Sequence, residues 1–182
     1  MRHLPNLICL ARIALIWPVV ASLVAGDYRL TLLWFVVAAL SDGLDGWLAK
    51  RFGWTSRLGR ILDPLADKLL LVSVFLVLTW LGRVPAWLAV LAVTRDFTIG
   101  IGALAYRAFW GALHGRPIAS SKLNTLLQIL YVCHVVLREA YGMPPAGVVA
   151  ALGLASGAMV VVSGAGYVRE FTRRALLVAA HG

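Results

Sequence analysis

Four aspartates in the first half of the chain have a spacing that could do chemistry. They are half of the eight acidic residues in 182, and they are Asp42, Asp45, Asp63 and Asp67. At about 100° per residue on a helix, Asp42 and Asp45 share one narrow stripe with the small residues Gly46 and Ala49.

The second pair follows a similar rule on the next apolar segment. Gly59, Asp63 and Asp67 recur every four residues and would share one face of a helix. Two adjacent antiparallel helices joined by a short loop could point both stripes at each other. The spacing therefore predicts four carboxylates converging on one place, with Gly46, Ala49 and Gly59 leaving room for a bulky ligand beside them.

Converging carboxylates repel one another unless they are protonated or bound to cations. All-oxygen ligands favour the hard ions Mg²⁺ or Mn²⁺ over zinc, and two such ions are a common apparatus for displacement at phosphorus. The alternative is that these are solvated residues at helix ends, paired with nearby Lys and Arg. That explanation suits Asp42 but not Asp67, which precedes "KLLLVSVFLVL", because a carboxylate facing lipid costs about 2.5–3.5 kcal/mol.

The elements that must position these aspartates are apolar. The chain is 61% hydrophobic, has a mean hydropathy of +0.86 and carries 14% charged residues, against ~25% in soluble domains. Apolar stretches of ~20 residues, long enough to cross a bilayer, recur along it. We predict an all-α polytopic membrane protein, a single domain over residues 1–182, with about six transmembrane helices. The predicted spans are residues 5–25, 29–49, 60–81, 84–106, 119–140 and 145–168.

The net charge of +9 does not indicate a nucleic-acid partner, because the basic residues lie in alternate connections. The second and fourth connections and the C-terminal tail hold most of them, whereas the opposite loops hold only Arg29, Arg83 and Arg138. By the positive-inside rule, both termini and the aspartate-bearing connection face the cytoplasm.

Two further features have structural explanations. Cys9 and Cys133 lie in apolar segments without metal-type spacing and are expected to be free thiols. "GLASG" (residues 153–157) in the last span forms a small-x₃-small face of the kind that packs membrane helices closely.

The series Asp42-x₂-Asp45-Gly46-x₂-Ala49-Lys50-x₈-Gly59-x₃-Asp63-x₃-Asp67 resembles the signature of the CDP-alcohol phosphotransferase family, matching seven of its eight fixed positions. The stretches "LPNLICLAR", "LGRILDPLADKLL", "VTRDFTIGIGA" and "IASSKLNTLLQ" are similar to phosphatidylglycerophosphate synthases and eukaryotic-type cardiolipin synthases. The resemblance therefore covers nearly the whole chain. Lys50 departs from it, because the family usually has arginine there, whose planar fork can hold phosphate at two points.

The resemblance implies a role for each matching position. The four aspartates would coordinate the divalent ions, and Asp67 would also be the base that takes the proton of the acceptor hydroxyl. Gly46, Ala49, Lys50 and Gly59 would bind the CDP moiety. The metals would hold the diphosphate of CDP-diacylglycerol, the acceptor hydroxyl would attack the lipid-bearing phosphorus, and CMP would leave. Relatives are commonly homodimers, so a homodimer is expected on this ground alone.

The acceptor must be argued from residues outside the signature. Arg95 and Asp96 lie in the fourth span and Lys122 opens the fifth. Either Arg95–Asp96 is a structural pair that fixes helix packing, or Arg95, Arg116 and Lys122 line a basic pocket for an anionic headgroup.

Both phosphatidylglycerol and glycerol-3-phosphate carry a phosphate and a free glycerol hydroxyl, so a basic pocket does not separate them. "RD" in the fourth span and "SKLNTLLQ" in the fifth resemble cardiolipin synthases, whereas the glycerol-3-phosphate enzymes more often show "RE" and "GK-x-KT". We therefore favour phosphatidylglycerol, with glycerol-3-phosphate as the alternative.

An ion-coupled transporter is the competing class, because ionisable residues inside spans often mark ion pathways. Transporters tend to place such residues in matched positions of two repeats, whereas the acids here are concentrated in one helix pair. The first span begins within five residues of Met1, with no Arg/Ser-rich transit segment ahead of it. We therefore expect a bacterial cytoplasmic membrane.

Overall fold

The computed structural model describes residues 4–52, 59–110 and 119–179, and within them the side chains of residues 13–41, 66, 68–105, 120–170 and 172–173. Six α-helices occupy these ranges, and no strand is found in them. The helices are α1 (Leu4–Val24), α2 (Tyr28–Phe52), α3 (Gly59–Trp80), α4 (Ala86–Trp110), α5 (Ala119–Tyr141) and α6 (Ala146–Ala179). The all-α prediction is confirmed.

The predicted spans agree with the helices to within a few residues, except at two C-terminal ends. Helix α4 runs to Trp110 rather than residue 106, and α6 runs to Ala179 rather than residue 168. Two helices contain stretches long and apolar enough to cross a membrane, Ala86–Ala105 and Ala146–Glu170, with mean hydropathies of 1.6 and 2.0. Shorter apolar segments in the described ranges are Ile13–Val24, Tyr28–Ser41 and Lys68–Trp80.

Helices α1 and α3 end in the same way, at a glycine with positive φ. Gly26 has φ of 73° and Gly82 has φ of 70°. In α1, Gly26 N donates to the Leu23 carbonyl at 3.0 Å and Asp27 N to the Ser22 carbonyl at 2.9 Å. This is the Schellman pattern, which satisfies carbonyls at the helix end and which a residue with a Cβ disfavours.

The chain divides into two compact units. The first unit comprises Met1–Val84 and Val132–Pro145, and in it α1 packs against both α2 and α3. Val19, Leu23, Val74 and Leu78 are fully buried in this unit. A 2.9 Å hydrogen bond between the Ser22 and Thr31 hydroxyls joins α1 to α2 inside it.

The second unit comprises Pro85–Tyr131 and Ala146–Gly182, and in it α4 packs against α6. Its buried residues include several polar ones, whereas large apolar side chains such as Phe97, Leu104 and Leu154 are about two-thirds exposed at 65%, 69% and 66%. Polar residues inside and apolar residues outside are the distribution expected where hydrocarbon surrounds the helices. The prediction of a single domain stays a prediction.

The small-x₃-small face of α6 packs inside the second unit. A Cβ added at Gly157 would lie 2.7 Å from Trp87 Cζ3, and one added at Gly153 would lie 3.0 Å from Tyr131 Cε2. The two glycines therefore let aromatic rings of α4 and α5 lie directly on the backbone of α6. The expectation of close helix packing at this face is confirmed.

Candidate active site

The first two aspartates lie in α2, beyond the part of that helix whose side chains are described. Thr31 is fully buried and Ala38 is 5% exposed, whereas Leu33, Val36 and Leu40 on the other side are 56%, 55% and 62% exposed. Spacings of seven and eleven residues return to the same side of a helix after about two and three turns. Asp42 follows Thr31 by eleven residues and Asp45 follows Ala38 by seven, and the helix continues unbroken through both.

Helix α3 carries the second pair of aspartates. Val74 and Leu78 are fully buried and lie seven and eleven residues beyond Asp67. Ala66 is also fully buried, whereas Leu69 and Leu76 are exposed. Asp63 and Asp67 lie one turn apart in the same helix.

Helix α1 is the common neighbour of the two aspartate-bearing helices, since it packs against both. The buried face of α2 is turned toward α1 at the level of the Ser22–Thr31 hydrogen bond. Helices α2 and α3, which carry the four aspartates, are therefore both in contact with α1.

The other predicted donor-site residues are also on these helices. Gly46, Ala49 and Lys50 lie in α2, and Gly59 is the first residue of α3. The side chains of the four aspartates and of Lys50 lie outside the part of the chain whose side chains are described, so their convergence stays a prediction. Arg116 also lies outside the described residues.

Arg95, predicted to line the acceptor pocket, is 6% exposed and joins three helices. Its Nη1 donates to Asp96 Oδ1 at 2.8 Å. Its Nη2 donates to Ser121 Oγ of α5 at 2.8 Å and to Ser163 Oγ of α6 at 2.6 Å. This geometry is that of the structural alternative, a buried arginine that fixes helix packing.

The surroundings of Arg95 balance its charge. The Asp96 carboxylate supplies a counter-charge, and the Arg95 guanidinium carbon lies 5.8 Å from the centre of the Tyr167 ring. Lys122, the other predicted acceptor residue on these helices, is exposed. Lys122 follows Ser121 at the start of α5. Because the side chain of Lys122 is exposed, its ammonium group is open to a ligand.

Sequence reasoning missed Ser121 and Ser163, the serine partners of Arg95, and the buried Asn124 of α5. Ser163 carries no pattern that separates it from other serines in apolar helices. Ser121 and Asn124 stand in the polar run "SSKLN" that opens α5. The run could have indicated buried polar contacts from the sequence alone. Burying four polar residues at the start of an otherwise apolar helix costs free energy unless they form hydrogen bonds.

Residues 2–164 match the sequence profile of the CDP-alcohol phosphatidyltransferase family. The chain is 32% identical over 154 residues to the CDP-diacylglycerol–glycerol-3-phosphate 3-phosphatidyltransferase of Bacillus subtilis, covering 76% of this chain and 79% of that protein. It is 31% identical to the probable phosphatidylglycerophosphate synthase of Mycobacterium tuberculosis (strain ATCC 25618 / H37Rv), covering 76% of this chain and 64% of that protein. It is also 31% identical to the cardiolipin synthase (CMP-forming) of Homo sapiens, covering 71% of this chain and 48% of that protein. Relatives with the two activities match almost equally well, so identity does not separate the acceptors.

Proposed function

Because the chain belongs to the CDP-alcohol phosphatidyltransferase family, we propose that it transfers a phosphatidyl group from CDP-diacylglycerol to a hydroxyl of a glycerol-type acceptor. The second product is CMP, and the reaction is a step of phospholipid synthesis. The observation that supports this proposal most strongly is the match of residues 2–164 to the family profile, and the four aspartates predicted to act in the reaction all lie in α2 and α3.

Asp67 is the proposed base. It would accept the proton of the acceptor hydroxyl as that oxygen forms a bond to the lipid-bearing phosphorus. The bond between this phosphorus and the bridging oxygen breaks at the same time, and CMP leaves with the electron pair.

Asp42, Asp45, Asp63 and Asp67 would hold two divalent ions, Mg²⁺ or Mn²⁺. Four carboxylates form an oxygen-only donor set, which fits these ions better than softer metals. When bound, such ions would neutralise the charge of the diphosphate.

Gly46, Ala49, Lys50 and Gly59 are the proposed contacts of the CDP moiety. The three small residues lie on α2 and at the first position of α3, where missing side-chain volume would let a nucleotide approach the backbone. Lys50 would supply a point charge to a phosphate in place of the fork of an arginine.

The proposed acceptor is phosphatidylglycerol, which would make the product cardiolipin, and glycerol-3-phosphate is the alternative. Arg116 and Lys122 are the proposed acceptor residues, and Arg95, which was predicted together with them, is proposed instead to fix the packing of α4, α5 and α6. Of the two whose side chains are described, Lys122 is the exposed cation, whereas the charge of Arg95 is balanced by Asp96. What supports phosphatidylglycerol is the wording of the motifs, "RD" in α4 and "SKLNTLLQ" in α5.

The proposed setting is a bacterial cytoplasmic membrane crossed by six helices, with the aspartates toward the cytoplasm and two chains forming a homodimer. The exposed apolar sides of α2, α4 and α6 and the two long apolar helices support membrane insertion. The alternative function is that of an ion-coupled transporter. A transporter would also consist of membrane helices, but it would not need CDP-diacylglycerol.

The direct test is CMP release from CDP-diacylglycerol by the purified chain in detergent with Mg²⁺ or Mn²⁺. We expect release with phosphatidylglycerol, less with glycerol-3-phosphate, and none after chelation of the metal. Asp67→Asn keeps the side-chain volume but removes the base, and we expect at least a hundredfold loss of turnover.

The matched control is Asp27→Asn, the same change at an exposed aspartate. Asp27 Oδ1 accepts a 3.0 Å hydrogen bond from Leu30 N at the start of α2, a role that asparagine also performs. We expect unchanged turnover. Folded wild-type protein that releases no CMP with any glycerol-type acceptor would contradict the proposed reaction and favour transport.

A further inference from the structure

An open cavity lies in the first unit, at the turn from α1 to α2 and the end of α5. Its volume is about 360 Å³, and it is lined by residues 25–29 together with Glu139 and Ala140. All of these residues belong to the first unit. Sites for small ligands have volumes of about 300 Å³ and above. The positive-inside rule predicts that this end of the helices faces away from the cytoplasm, and so away from the aspartate-bearing connection.

Arg29 gives the cavity a cation that has no counter-ion among the described residues. Its side chain is exposed, and its guanidinium carbon lies 5.2 Å from the centre of the Tyr141 ring. The ring contact holds the guanidinium group in place, whereas the N–H donors point outward in the guanidinium plane and stay open to an acceptor. Such a fork of donors fits the oxygens of a phosphate group.

Glu139 gives the cavity a carboxylate of which one oxygen is unused. Its Oε2 lies 3.2 Å from Arg83 Nη1, and its Oε1 forms no hydrogen bond or ion pair with the described residues. The other carboxylate of the cavity, that of Asp27, caps α2 by accepting a hydrogen bond from Leu30 N. Arg29 and Arg83 balance these two carboxylates. A region with separate charges of both signs and no net charge is complementary to a zwitterion.

Exposed apolar residues flank the cavity. Val24 is the last residue of α1, Leu30 is the third residue of α2, and both are exposed. The ring of Tyr141, on which the Arg29 guanidinium is placed, is exposed as well. At the end of membrane-inserted helices, such side chains lie against acyl chains or at the headgroup level. A ligand of this cavity therefore has hydrocarbon beside it, which favours a lipid headgroup over a soluble metabolite.

We propose that this cavity binds the headgroup of a zwitterionic phospholipid, with the phosphate on Arg29 and the ammonium group on Glu139 Oε1. The bound lipid belongs to the surrounding bilayer and holds the turn between α1 and α2 against the end of α5. The site takes no part in the proposed transfer reaction.

The test is a titration of the purified chain in non-ionic detergent with three probes, in which the rise of the Tm gives the Kd of each. Dihexanoylphosphatidylethanolamine carries the phosphate, the ammonium group and the acyl chains. Dihexanoylphosphatidylmethanol lacks the ammonium group, and phosphorylethanolamine lacks the chains. We expect the first probe to bind about tenfold more tightly than either of the others, because each of those loses one set of contacts.

Two variants assign the contacts. Arg29→Gln removes the partner of the phosphate and should weaken binding of dihexanoylphosphatidylethanolamine by about tenfold or more. Glu139→Gln leaves both arginines uncompensated, so the preference between the two lipids should reverse and dihexanoylphosphatidylmethanol should bind more tightly. A residue that only supports the fold would change the Tm without lipid but not this order. Arg169→Gln, the same change at an exposed arginine of α6 outside the cavity, is the control and should alter neither Kd.

The possible results bear on separate parts of the proposal. No binding of dihexanoylphosphatidylethanolamine, or equal binding by the wild type and Arg29→Gln, would overturn the site. Phosphorylethanolamine that binds as tightly as the lipid would overturn the lipid as its ligand, and an unchanged order of the two lipids in Glu139→Gln would overturn the role of Glu139. Each Kd is measured without CDP-diacylglycerol or an acceptor, so a failure of the proposed transfer reaction does not affect these results.

Discussion

At the scale of single residues, the two described cations of the acceptor region have different environments. Arg95 is buried and bonded to Asp96, Ser121 and Ser163. Lys122 is exposed at the start of α5. The sequence left open whether Arg95 is structural or lines a basic pocket together with Lys122. The contacts of Arg95 favour the structural alternative, whereas Lys122 is exposed to a ligand.

Substituting these two residues should separate stability from acceptor binding. Arg95→Lys keeps the charge, but one ammonium group cannot replace two guanidinium nitrogens that reach α4, α5 and α6. We expect a loss of about 1–3 kcal/mol in unfolding free energy, seen as a lower Tm in detergent.

Lys122→Met is the matched comparison. We expect the Tm to stay within about a degree of the wild type, because exposed substitutions change stability by less than roughly 0.5 kcal/mol. The KM for the anionic acceptor should rise by roughly tenfold. If Arg95→Lys raised this KM while leaving the Tm unchanged, the structural role of Arg95 would be wrong.

At the scale of elements, α6 is the helix whose packing depends most directly on missing side chains. Because Gly157 has no Cβ, Trp87 and Leu88 of α4 pack directly against α6 there. Gly153 allows Tyr131 of α5 to do the same. The small-residue face is therefore used for packing inside the second unit. The proposed homodimer needs a different surface.

Gly157→Ala should destabilise the protein. The new Cβ would lie 2.7 Å from Trp87 Cζ3 and 2.9 Å from Cη2, so the ring has to move off α6. We expect a loss of about 1–3 kcal/mol, as for other overpacked positions, measured by thermal unfolding.

Gly100→Ala in the interior of α4 is the control. Nothing lies within 4 Å of its added Cβ, so the helix should gain up to about 1 kcal/mol from the lost flexibility of glycine. Equal stability of the two variants would refute the close approach of α4 and α6 at Gly157.

The helices could be predicted from the sequence because hydropathy and the glycine-proline turns specify where apolar segments begin and end. Gly26 and Gly82 end α1 and α3 close to the predicted positions. The C-terminal part of α6 was missed because a helix rich in arginine has no hydropathy signal. The convergence of the four aspartates was predicted from their spacing and stays a prediction. The partners of Arg95 and the burial of Asn124 could not be predicted, because they depend on which helices pack together.

At the scale of the whole molecule, the arginines outside the basic loops have partners in the first unit. Arg83 Nη1 lies 3.2 Å from Glu139 Oε2, and the Arg29 guanidinium carbon lies 5.2 Å from the centre of the Tyr141 ring. Arg138 Nη1 donates to the Pro144 carbonyl at 2.9 Å. Each of these arginines makes a local contact. They therefore do not count against the excess of basic residues in the opposite connections, which predicts the orientation.

Cysteine labelling in a bacterial inner membrane tests that orientation. In a background with Cys9→Ala and Cys133→Ala, Met143→Cys lies in the exposed turn between α5 and α6, and Thr172→Cys lies on the exposed side of the last part of α6. The positive-inside rule puts the first turn outside and the end of α6, with Arg169 and Arg173, inside. We expect a membrane-impermeant maleimide to label Met143→Cys in spheroplasts and to label Thr172→Cys only after permeabilisation. The reverse pattern would put the aspartates of α2 and α3 on the outer side, away from the CDP-lipid made in the cytoplasm, and would contradict the proposed reaction at that face.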